Sequence, residues 1–425
     1  WLVVRRLVEL FLACVMEPVV QRDDRLVCYL HLALQGLSPC SLCRLLRGYH
    51  YRRTIFTGEQ AREVLRSPLS TNQRYRMLRV FKTCKPLILM ALALTVACEL
   101  PVPDSRQVTV AGTTFPNTTG ERHWLTFRDR LSAATAGELP LNLLIYGQLG
   151  SEDQLVSGLR RGRVQFANLS AMAVSTVVPE MALLYAPFLF DNPAEADFVY
   201  DNYLTPLFRE LLADKGLHFV SWYEIGFVQV YGKEPVLTPA DAAGRRFRVG
   251  AGPAARLFAK AVGADVIPLG FSDVVPALQT GLVVAGENAV SLYARTGIAA
   301  EAPHLSLTDH GFGVSAIVAS KPWFDSLPPE QQTAVMQAWP SAAATRAAVR
   351  AESAADLAAG AELGITVHSL SVAERDAWRT ATADVTEQLI ATIGGQSRDI
   401  YTLVQSARRE YAQSLSDQST VPKRR

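Results

Sequence analysis

Short apolar strands alternate with amphipathic helices along the chain from Gln107, and this alternation constrains the fold more than any other feature. The segments "QVTVAG", "LPLNLLIYG" and "VQFANLS" have the apolar and β-branched content of strands, and the segments between them have helical spacing. The helix predicted in "SEDQLVSGLRRG" has Ser151 as its N-cap and acidic residues in its first turn. Strands joined by helices favour an α/β fold with a largely parallel sheet.

A second unit with the same pattern follows the apolar and aromatic patch "MALLYAPFLFDNP". The strands "HFVSWYE" and "GFVQVYG" precede a capped helical turn and a short strand, "RRFRVG", in which Arg246 and Arg248 point to one face. Helical spacing predicts helices over 253–262 and 272–280. From Pro328 onward the sequence is rich in alanine and charge, which predicts long C-terminal helices.

Residues 77–97 have the features of a secretory signal. Cations precede the apolar run "LILMALALTVA", which is shorter than the roughly 20 residues that a membrane-spanning helix needs. The tetrapeptide "TVAC" resembles the cleavage box of bacterial lipoproteins, in which the cysteine becomes the lipid-modified first residue. We therefore predict a signal peptide at 77–97, lipidation at Cys98 and a tether over 98–106.

The position of this signal inside the chain needs an explanation, because export signals are read close to a free N-terminus. Residues 1–76 begin with tryptophan, carry many arginines and show no sustained helix or strand period. We expect them to be an over-extended gene model, with synthesis starting at Met77. The alternative is a genuine cytoplasmic or membrane-proximal extension, since "WLVVRRLVELFLACV" can form an amphipathic helix. Detecting a peptide from residues 1–76 in the native protein would favour the extension.

Charge and cysteine content divide the chain at the same place. Residues 1–97 hold 15 of the 42 Lys and Arg and 6 of the 40 Asp and Glu, which leaves 27 cations and 34 anions from Cys98 onward. An acidic mature part argues against nucleic acid as a partner. All six cysteines lie at or before Cys98, so no disulfide framework, cysteine nucleophile or cysteine-ligated metal is expected beyond it. We predict no cofactor and no metal site.

Five segments resemble, in order and spacing, the solute-binding proteins of TRAP (tripartite ATP-independent periplasmic) transporters. They are "GQLGSEDQLVSGLRRG", "YAPFLFDNPAEA", "LTPADAAGRRFRVG", "GADVIPLGFSDVVPALQTGLVVAGEN" and "LTDHGFGVSAIVASKPWFDSLPPEQQTAV". The resemblance covers residues 107–413 and implies the two-lobed, hinged, type II-like α/β fold of periplasmic solute-binding proteins. The lobes it implies are 107–225 plus 314–353 and 226–313 plus 354–425.

The resemblance also implies ligand-binding roles for three residues. Arg248 is expected to form a two-pronged salt bridge with a ligand carboxylate, Asn288 to hold the same carboxylate, and Phe271 to pack on the ligand. Chemistry supports the arginine, because its parallel donors match both carboxylate oxygens and each charge-assisted bond contributes on the order of 1.5–3 kcal/mol when water is excluded. Without the resemblance, Arg245, Arg246 and Arg248 are more simply interpreted as a solvated edge cluster.

Three further candidate contacts have alternatives that the sequence leaves open. Trp222, like its neighbour Tyr223, lies near the predicted junction of the lobes and either lines the cleft or fills the core of the first lobe. Glu224 either binds a ligand hydroxyl or amine or forms a salt bridge between the lobes. Ser170 follows a predicted strand, where the family often places a polar ligand contact, and it also suits a helix cap.

Two departures from the family pattern bear on the substrate. Many relatives have a second cation at the position of Val228, and valine-aspartate-glycine where this chain has "VVA" at 283–285. One arginine suits one well-held carboxylate, so a hydroxy, keto or sugar acid fits as well as a dicarboxylate. Arg256 and Lys260, on a nearby predicted helix, are candidates to replace the missing cation.

The resemblance implies a periplasmic receptor that closes around an organic acid and delivers it to the membrane subunits of a sodium-driven TRAP permease. A receptor that feeds a sensor kinase would have the same fold and site, and the neighbouring genes would separate the two. A lipoprotein hydrolase is a third alternative, but no G-x-S-x-G elbow occurs, and "DHGFG" is a weak mimic of an oxyanion loop. We predict a binding protein rather than an enzyme, tethered to a membrane at most through Cys98.

Overall fold

A computed structural model of the chain describes residues 107–250 and 252–420. The predictions for residues 1–76, the signal peptide, Cys98 and the tether therefore lie outside the described residues. Within the described ranges, no helix is both long and apolar enough to cross a bilayer.

Every strand that the sequence predicts is present, but "HFVSWYE" and "GFVQVYG" form one continuous strand, and the last two strands listed below were not predicted. In chain order they are β1 (Val108–Ala111), β2 (Leu141–Leu144), β3 (Phe166–Ser170), β4 (Leu217–Gly232), β5 (Arg246–Val249), β6 (Asp265–Pro268), β7 (Ala285–Ala289), β8 (His304–Ser320) and β9 (Thr366–Ser369).

Helices fill most of the intervals between these strands, together with 3₁₀ turns at Pro179–Tyr185 and Phe271–Asp273 and a π-helical turn at Tyr200–Leu204. The helices are α1 (Thr119–Ala134), α2 (Glu152–Arg160), α3 (Ala171–Val174), α4 (Pro193–Val199), α5 (Thr205–Ala213), α6 (Pro239–Ala242), α7 (Pro253–Ala261), α8 (Val274–Gln279), α9 (Val290–Arg295), α10 (Ile298–Glu301), α11 (Lys321–Ser326), α12 (Pro329–Ala338), α13 (Ala342–Ala358), α14 (Val372–Ala381), α15 (Val385–Ile393) and α16 (Ser397–Thr420).

The strands form a mixed sheet in the order β2-β1-β3-β8-β4-β7-β5-β6, with β9 beside β8. Strands β1, β2 and β3 are parallel to one another, as are β5, β6 and β7. The long strands β4 and β8 are antiparallel and run through the middle of the sheet. We call the part of the sheet around β1–β3 section I and the part around β5–β7 section II.

The ladder between β4 and β8 is irregular where the two sections meet. Its register shifts between Glu224 and Gly226, and Gly226 pairs with Gly313. Gly226 has a φ of +105°, a backbone conformation that suits glycine because it lacks a Cβ. A register shift of this kind bends a strand locally. The ladder has two other register shifts, between Phe219 and Ser221 and between Val228 and Val230, so the lobe boundaries at 225/226 and 313/314 stay a prediction.

Helices cover both faces of the sheet in each section. In section I, one cluster holds buried side chains of α1 and α12 and the other those of α2, α4 and α5. In section II, one cluster lies under α8, α9 and α10, and the other under α6, α7 and α14. Each section therefore has its own hydrophobic core on both sides of the sheet.

The last helix departs from the sequence prediction, which grouped residues 354–425 with the second lobe. Ile400 and Val404 of α16 are buried in a section I cluster, and Arg408 pairs with Glu195 at 3.0 Å. The helix has an apolar face that the cluster around α4 covers. The alanine-rich sequence predicted the helix but not the surface that it packs against.

Candidate functional site

Three neighbouring strands of section II bring the candidate ligand residues together. Gly286 of β7 pairs with Arg248 of β5 on one side and with Tyr231 of β4 on the other, and Asn288 lies two residues further along β7. Directly paired residues, and residues two apart on one strand, point to the same face of a sheet. Arg248, Asn288 and Tyr231 therefore share one face, near the carboxyl ends of β5 and β7.

Arg248 is buried, with only 7% of its surface exposed. One terminal nitrogen, Nη2, donates a hydrogen bond to the carbonyl oxygen of Leu269 at 3.0 Å, whereas Nε has no hydrogen-bond partner. The sequence interpretation of a solvated edge cluster applies to Arg246, which is exposed, but not to Arg248. Burial separates these two arginines although they share a strand and a face.

Arg248 differs from Arg346, the other arginine that is buried among the described residues. Arg346 donates to both carboxylate oxygens of Asp201 at 2.7 and 2.8 Å and lies 3.1 Å from Asp197. Arg248 has no carboxylate partner among the ion pairs of the described residues. Burying a charge without a counter-charge is costly, so an arginine in this state is suited to receive an anion.

Two more polar groups on the same face lack hydrogen-bond partners. Asn288 uses its side-chain oxygen to accept from the backbone N–H of Ala289 at 2.9 Å, and its Nδ2 is buried without an acceptor. The hydroxyl of Tyr231 is likewise buried and unpaired. Buried polar groups in proteins are nearly always hydrogen-bonded, so several such groups near each other indicate a site that a ligand completes.

Phe271 lies beside this group, in the 3₁₀ turn after β6, and packs against the section II cluster that includes Tyr231. Its ring contacts Phe115 of section I, with centroids 5.6 Å apart in an edge-to-face arrangement. Met172, in α3, also reaches across and packs against a section II cluster. The carboxyl ends of the parallel strands in the two sections thus face each other across this contact.

Ser170 ends β3 on the section I side of the same region. Its backbone N–H and its hydroxyl each donate to Glu152, both at 2.7 Å, while its oxygen caps α3 by accepting from Ala173 N–H at 3.1 Å. Burial raises the pKa of Glu152, and the hydrogen bonds from Ser170 oppose that rise. The structure therefore gives Ser170 the capping role that the sequence had left as its alternative, together with a carboxylate neighbour.

Trp222 is not beside Arg248, Asn288 and Phe271. Its indole is buried in a section I core, with ring centroids of Tyr200, Phe208 and Phe219 between 4.9 and 5.7 Å away. The indole N–H donates to Thr205 Oγ1 at 2.9 Å. The ring of Trp222 therefore packs in the core and its N–H is hydrogen-bonded, which agrees with the alternative that Trp222 fills the core of the first lobe.

Glu224 is also engaged by protein groups. Arg350 of α13 donates to it at 2.6 to 3.1 Å and binds Asp197 with its other edge at 2.7 and 2.9 Å. Burial raises the pKa of Glu224, and the hydrogen bonds and charge of Arg350 oppose that rise. The carboxylate anchors the middle of α13 to section I, and Arg295 holds Asp356, near the carboxyl end of α13, to section II at 2.7 Å.

The position of the missing second cation holds no charge of its own. Val228 is buried and pairs with Gly311 of β8, and the residue before Gly311, His310, lies 2.9 Å from Glu287. Arg256 and Lys260, the candidate replacements, are exposed on α7. Among the described residues, no three or more His, Cys, Asp and Glu side chains are grouped to hold a metal ion.

Sequence reasoning missed Tyr231. It lies in "GFVQVYG", where an aromatic residue in an apolar strand is most simply interpreted as core. The feature that marks Tyr231 exists only in the folded protein, because the pairing of β4 with β7 is what places this residue opposite a glycine. The pair of Glu287 and His310 was missed for the same reason.

The sheet has two sections, and unpaired donors are buried where the strand ends of one section face those of the other. These features define a ligand-binding protein with two sections. The sequence matches the bacterial extracellular solute-binding protein family 7 (DctP) over residues 110–392. The protein belongs to this family, whose members are binding proteins of TRAP transport systems.

Relatives of known specificity agree with this assignment. The chain is 32% identical over 211 residues to the 2,3-diketo-L-gulonate-binding periplasmic protein YiaO of Escherichia coli, and 28% identical over 198 residues to the ectoine-binding periplasmic protein TeaA of Halomonas elongata. These matches cover 49% and 45% of this chain and span 64% and 58% of the two relatives.

A solved structure resembles most of the described part of the chain. The TRAP periplasmic solute-binding protein of Roseobacter denitrificans, with bound β-D-glucuronate, superposes with a TM-score of 0.67 and 26% identity. The superposition covers 70% of this chain and 99% of that one. The α/β fold predicted from the sequence is thereby confirmed.

Proposed function

We propose that this protein is an extracytoplasmic receptor that captures an organic acid between two lobes and delivers it to the membrane subunits of a TRAP permease. The lobes are sections I and II with their helices, divided at 225/226 and 313/314, and α16 belongs with the first. The observation that carries the proposal is Arg248, a buried arginine without a carboxylate partner among the described residues, on the same face as the unpaired Nδ2 of Asn288.

A carboxylate would satisfy both groups at once. Its two oxygens match the parallel donors of a guanidinium, and either oxygen can also accept from the Asn288 amide. The ligand thereby supplies the counter-charge that the fold does not provide to Arg248. Phe271 would close over the apolar part of the ligand, at the contact with Phe115.

Closure would pivot on the long strands β4 and β8. The register shift beside Gly226 and Gly313 gives this ribbon a place to bend, and the ligand groups of section II lie on one side of it. A ligand that contacts both lobes binds the closed form more tightly than the open form, so it shifts the equilibrium toward closure.

The relatives support the substrate class. The Escherichia coli protein is named for diketogulonate, and the Roseobacter denitrificans protein holds glucuronate, so both are associated with a sugar acid. We assign a periplasmic location, permease partners and the absence of catalysis on the basis of the family. We also propose the lipid anchor at Cys98 and the signal peptide at 77–97.

Arg248→Ala tests the proposal, and Arg246→Ala is a matched control on the same strand. The purified protein is screened by thermal shift against monocarboxylates, dicarboxylates, sugar acids and neutral solutes, because a ligand that binds the native state raises its melting temperature. We expect a rise confined to acids, retained in Arg246→Ala and lost in Arg248→Ala.

A rise with neutral solutes alone, or one that persists in Arg248→Ala, would contradict the proposal. Turnover of esters or glycosides by the purified protein would favour the hydrolase alternative instead. A sensor kinase gene beside this one, in place of genes for two membrane subunits, would favour a receptor that feeds signalling.

A further inference from the structure

Tyr231 is fully buried in section II, and its hydroxyl has no hydrogen-bond partner. Its ring lies across Gly286 of the neighbouring strand. A Cβ atom placed on Gly286 would lie 2.4 Å from the hydroxyl oxygen and 2.6 Å from the adjacent ring carbon. Gly286 therefore leaves room for the ring to cross β7 toward β5, the strand that carries Arg248.

A neighbouring tyrosine provides an internal reference. Tyr293 is also fully buried and stacks on Tyr231, with ring centroids 5.7 Å apart. Its hydroxyl donates to the carbonyl oxygen of Ala302 at 2.8 Å. The two tyrosines of this core thus differ in whether the protein satisfies the hydroxyl. An unpaired hydroxyl does not mark a site by itself, since the hydroxyl of Tyr200 is also buried and unpaired in a section I core. What distinguishes Tyr231 is the face of the sheet on which it lies.

The unpaired hydroxyl lies on the face that also holds the unpaired groups of Arg248 and Asn288. Burial raises the pKa of Tyr231, and the nearby charge of Arg248 opposes that rise only in part. The hydroxyl therefore stays protonated at neutral pH and offers a hydrogen to an acceptor. Three buried donors from three adjacent strands thus lie on one face of the sheet.

We propose that the Tyr231 hydroxyl recognises an oxygen atom on the carbon next to the ligand carboxylate. This inference rests on the proposed function, in which Arg248 and Asn288 hold that carboxylate. It narrows the substrate to 2-hydroxy acids, 2-oxo acids and uronic acids, whose ring oxygen occupies the corresponding place. Acids with a methylene group at that carbon are poorer ligands.

The selectivity follows from the cost of an unpaired buried donor. A ligand oxygen beside the carboxylate accepts the Tyr231 hydrogen, whereas a methylene group leaves the hydroxyl unpaired in a site from which water has been expelled. A site built to hydrogen-bond an oxygen rejects an analogue that lacks it more strongly than an apolar site distinguishes the two. Gly286 keeps the hydroxyl in place by leaving the space over β7 to the ring.

The test compares pairs of acids that differ only in this oxygen. Dissociation constants are measured by calorimetry for D-gluconate against 2-deoxy-D-gluconate and for lactate against propionate. In the natural protein the oxygenated member of at least one pair should bind more tightly. In Tyr231→Phe that preference should fall about threefold to tenfold, because affinity for the oxygenated acid falls while affinity for its partner does not.

Tyr293→Phe is the matched control, since it removes a hydroxyl from the same stacked pair and should leave the preference unchanged. Gly286→Ala is a second route to the same result, because the added methyl displaces the Tyr231 ring. It should lower the preference even if Tyr231→Phe folds poorly. Thermal melts of the ligand-free variants establish that each is folded.

Several outcomes would overturn the inference. They are an unchanged preference in both Tyr231→Phe and Gly286→Ala, an equal loss in Tyr293→Phe, or a natural protein that binds deoxy acids or succinate but no oxygenated acid. In each of these cases, acid binding that is lost in Arg248→Ala leaves the proposed receptor function standing. Binding that does not depend on Arg248 means instead that the proposed function itself has failed.

Discussion

Arg248 and Arg346 are both buried, and the protein treats them in opposite ways. Arg346, on α13, binds Asp201 and lies against Asp197, in a network that holds this helix to section I. Arg248, on β5, donates to a backbone carbonyl and has no carboxylate partner among the described residues. The first charge is neutralised within the fold, and we propose that a ligand neutralises the second. A buried arginine without a carboxylate is therefore a better indication of a binding site than burial or charge alone.

The largest expected difference between the two arginines is in folding stability. Arg346→Met should lower the free energy of unfolding by about 2–3 kcal/mol, less than for a fully buried pair because Asp201 is half exposed and Asp197 keeps Arg350. Arg248→Met should leave that free energy unchanged or raise it by up to about 1 kcal/mol, because it removes an uncompensated charge. Urea denaturation of the ligand-free proteins measures both. Equal destabilisation by the two substitutions would mean that the two arginines do not differ in their contribution to folding stability.

A subtler change at Arg248 keeps the charge and removes the forked geometry. Arg248→Lys should weaken binding of the best carboxylate ligand by about 2 kcal/mol, roughly 30-fold, because an ammonium group cannot bind both oxygens side by side. Calorimetry on the natural protein and the variant gives the ratio. Arg246→Lys provides the control, and undiminished affinity in Arg248→Lys would mean that a point charge suffices.

A substitution at Glu224 tests the network of ion pairs that holds α13 to section I at a second position. Glu224→Gln should lower the free energy of unfolding by about 1–2 kcal/mol, since Arg350 loses a charged partner but retains Asp197. The effect on carboxylate affinity should be small, because this carboxylate is already bound by Arg350. Affinity is measured by calorimetry and stability by urea denaturation. A large loss of affinity with little loss of stability would instead indicate that Glu224 binds the ligand.

Buried histidines differ from both arginines, because a histidine side chain can lose its charge when it is buried. Burial, together with the nearby charge of Arg122, lowers the pKa of His123 to about 4, below the value near 6.5 in the unfolded chain. The unfolded state then binds more protons, so the stability contributed above pH 6.5 is lost as the pH falls toward 4. Burial also lowers the pKa of His218 to about 4, with the same sign.

Between pH 7 and pH 6 this linkage should cost about 0.5–1 kcal/mol per histidine, the smallest effect in the series. Urea denaturation at the two pH values measures it. The double variant His123→Phe/His218→Phe should show a weaker dependence on pH than the natural protein. An unchanged slope would indicate that other groups dominate the titration.

Local chemistry was sufficient to predict most of the elements. Alternating apolar residues predicted β1, β2 and β3, and the cap at Ser151 with acids after it predicted the start of α2, because these signals lie within a few residues of one another. The role of Ser170 as a cap was likewise one of the two alternatives that the sequence allowed. Elements defined by neighbouring residues can be predicted in this way.

Features that depend on distant pairing could not be predicted. The unpaired hydroxyl of Tyr231 depends on the register of β4 against β7, and the engagement of Glu224 depends on Arg350, which is 126 residues away in the chain. The packing of α16 on section I depends on which apolar surface remains uncovered. In each case the local sequence is compatible with several partners, and only the assembled sheet selects one.

The ribbon of β4 and β8 has a mechanical consequence. Two lobes joined by irregular linkers can slide, twist and tumble, whereas a hydrogen-bonded ladder resists stretching and shear and is soft only to bending out of its plane. A register shift beside Gly226 therefore favours bending over the other relative motions of the proposed lobes. If the receptor closes as proposed, each capture of a ligand ends in a similar shape, by which a membrane partner can distinguish a loaded receptor from an empty one.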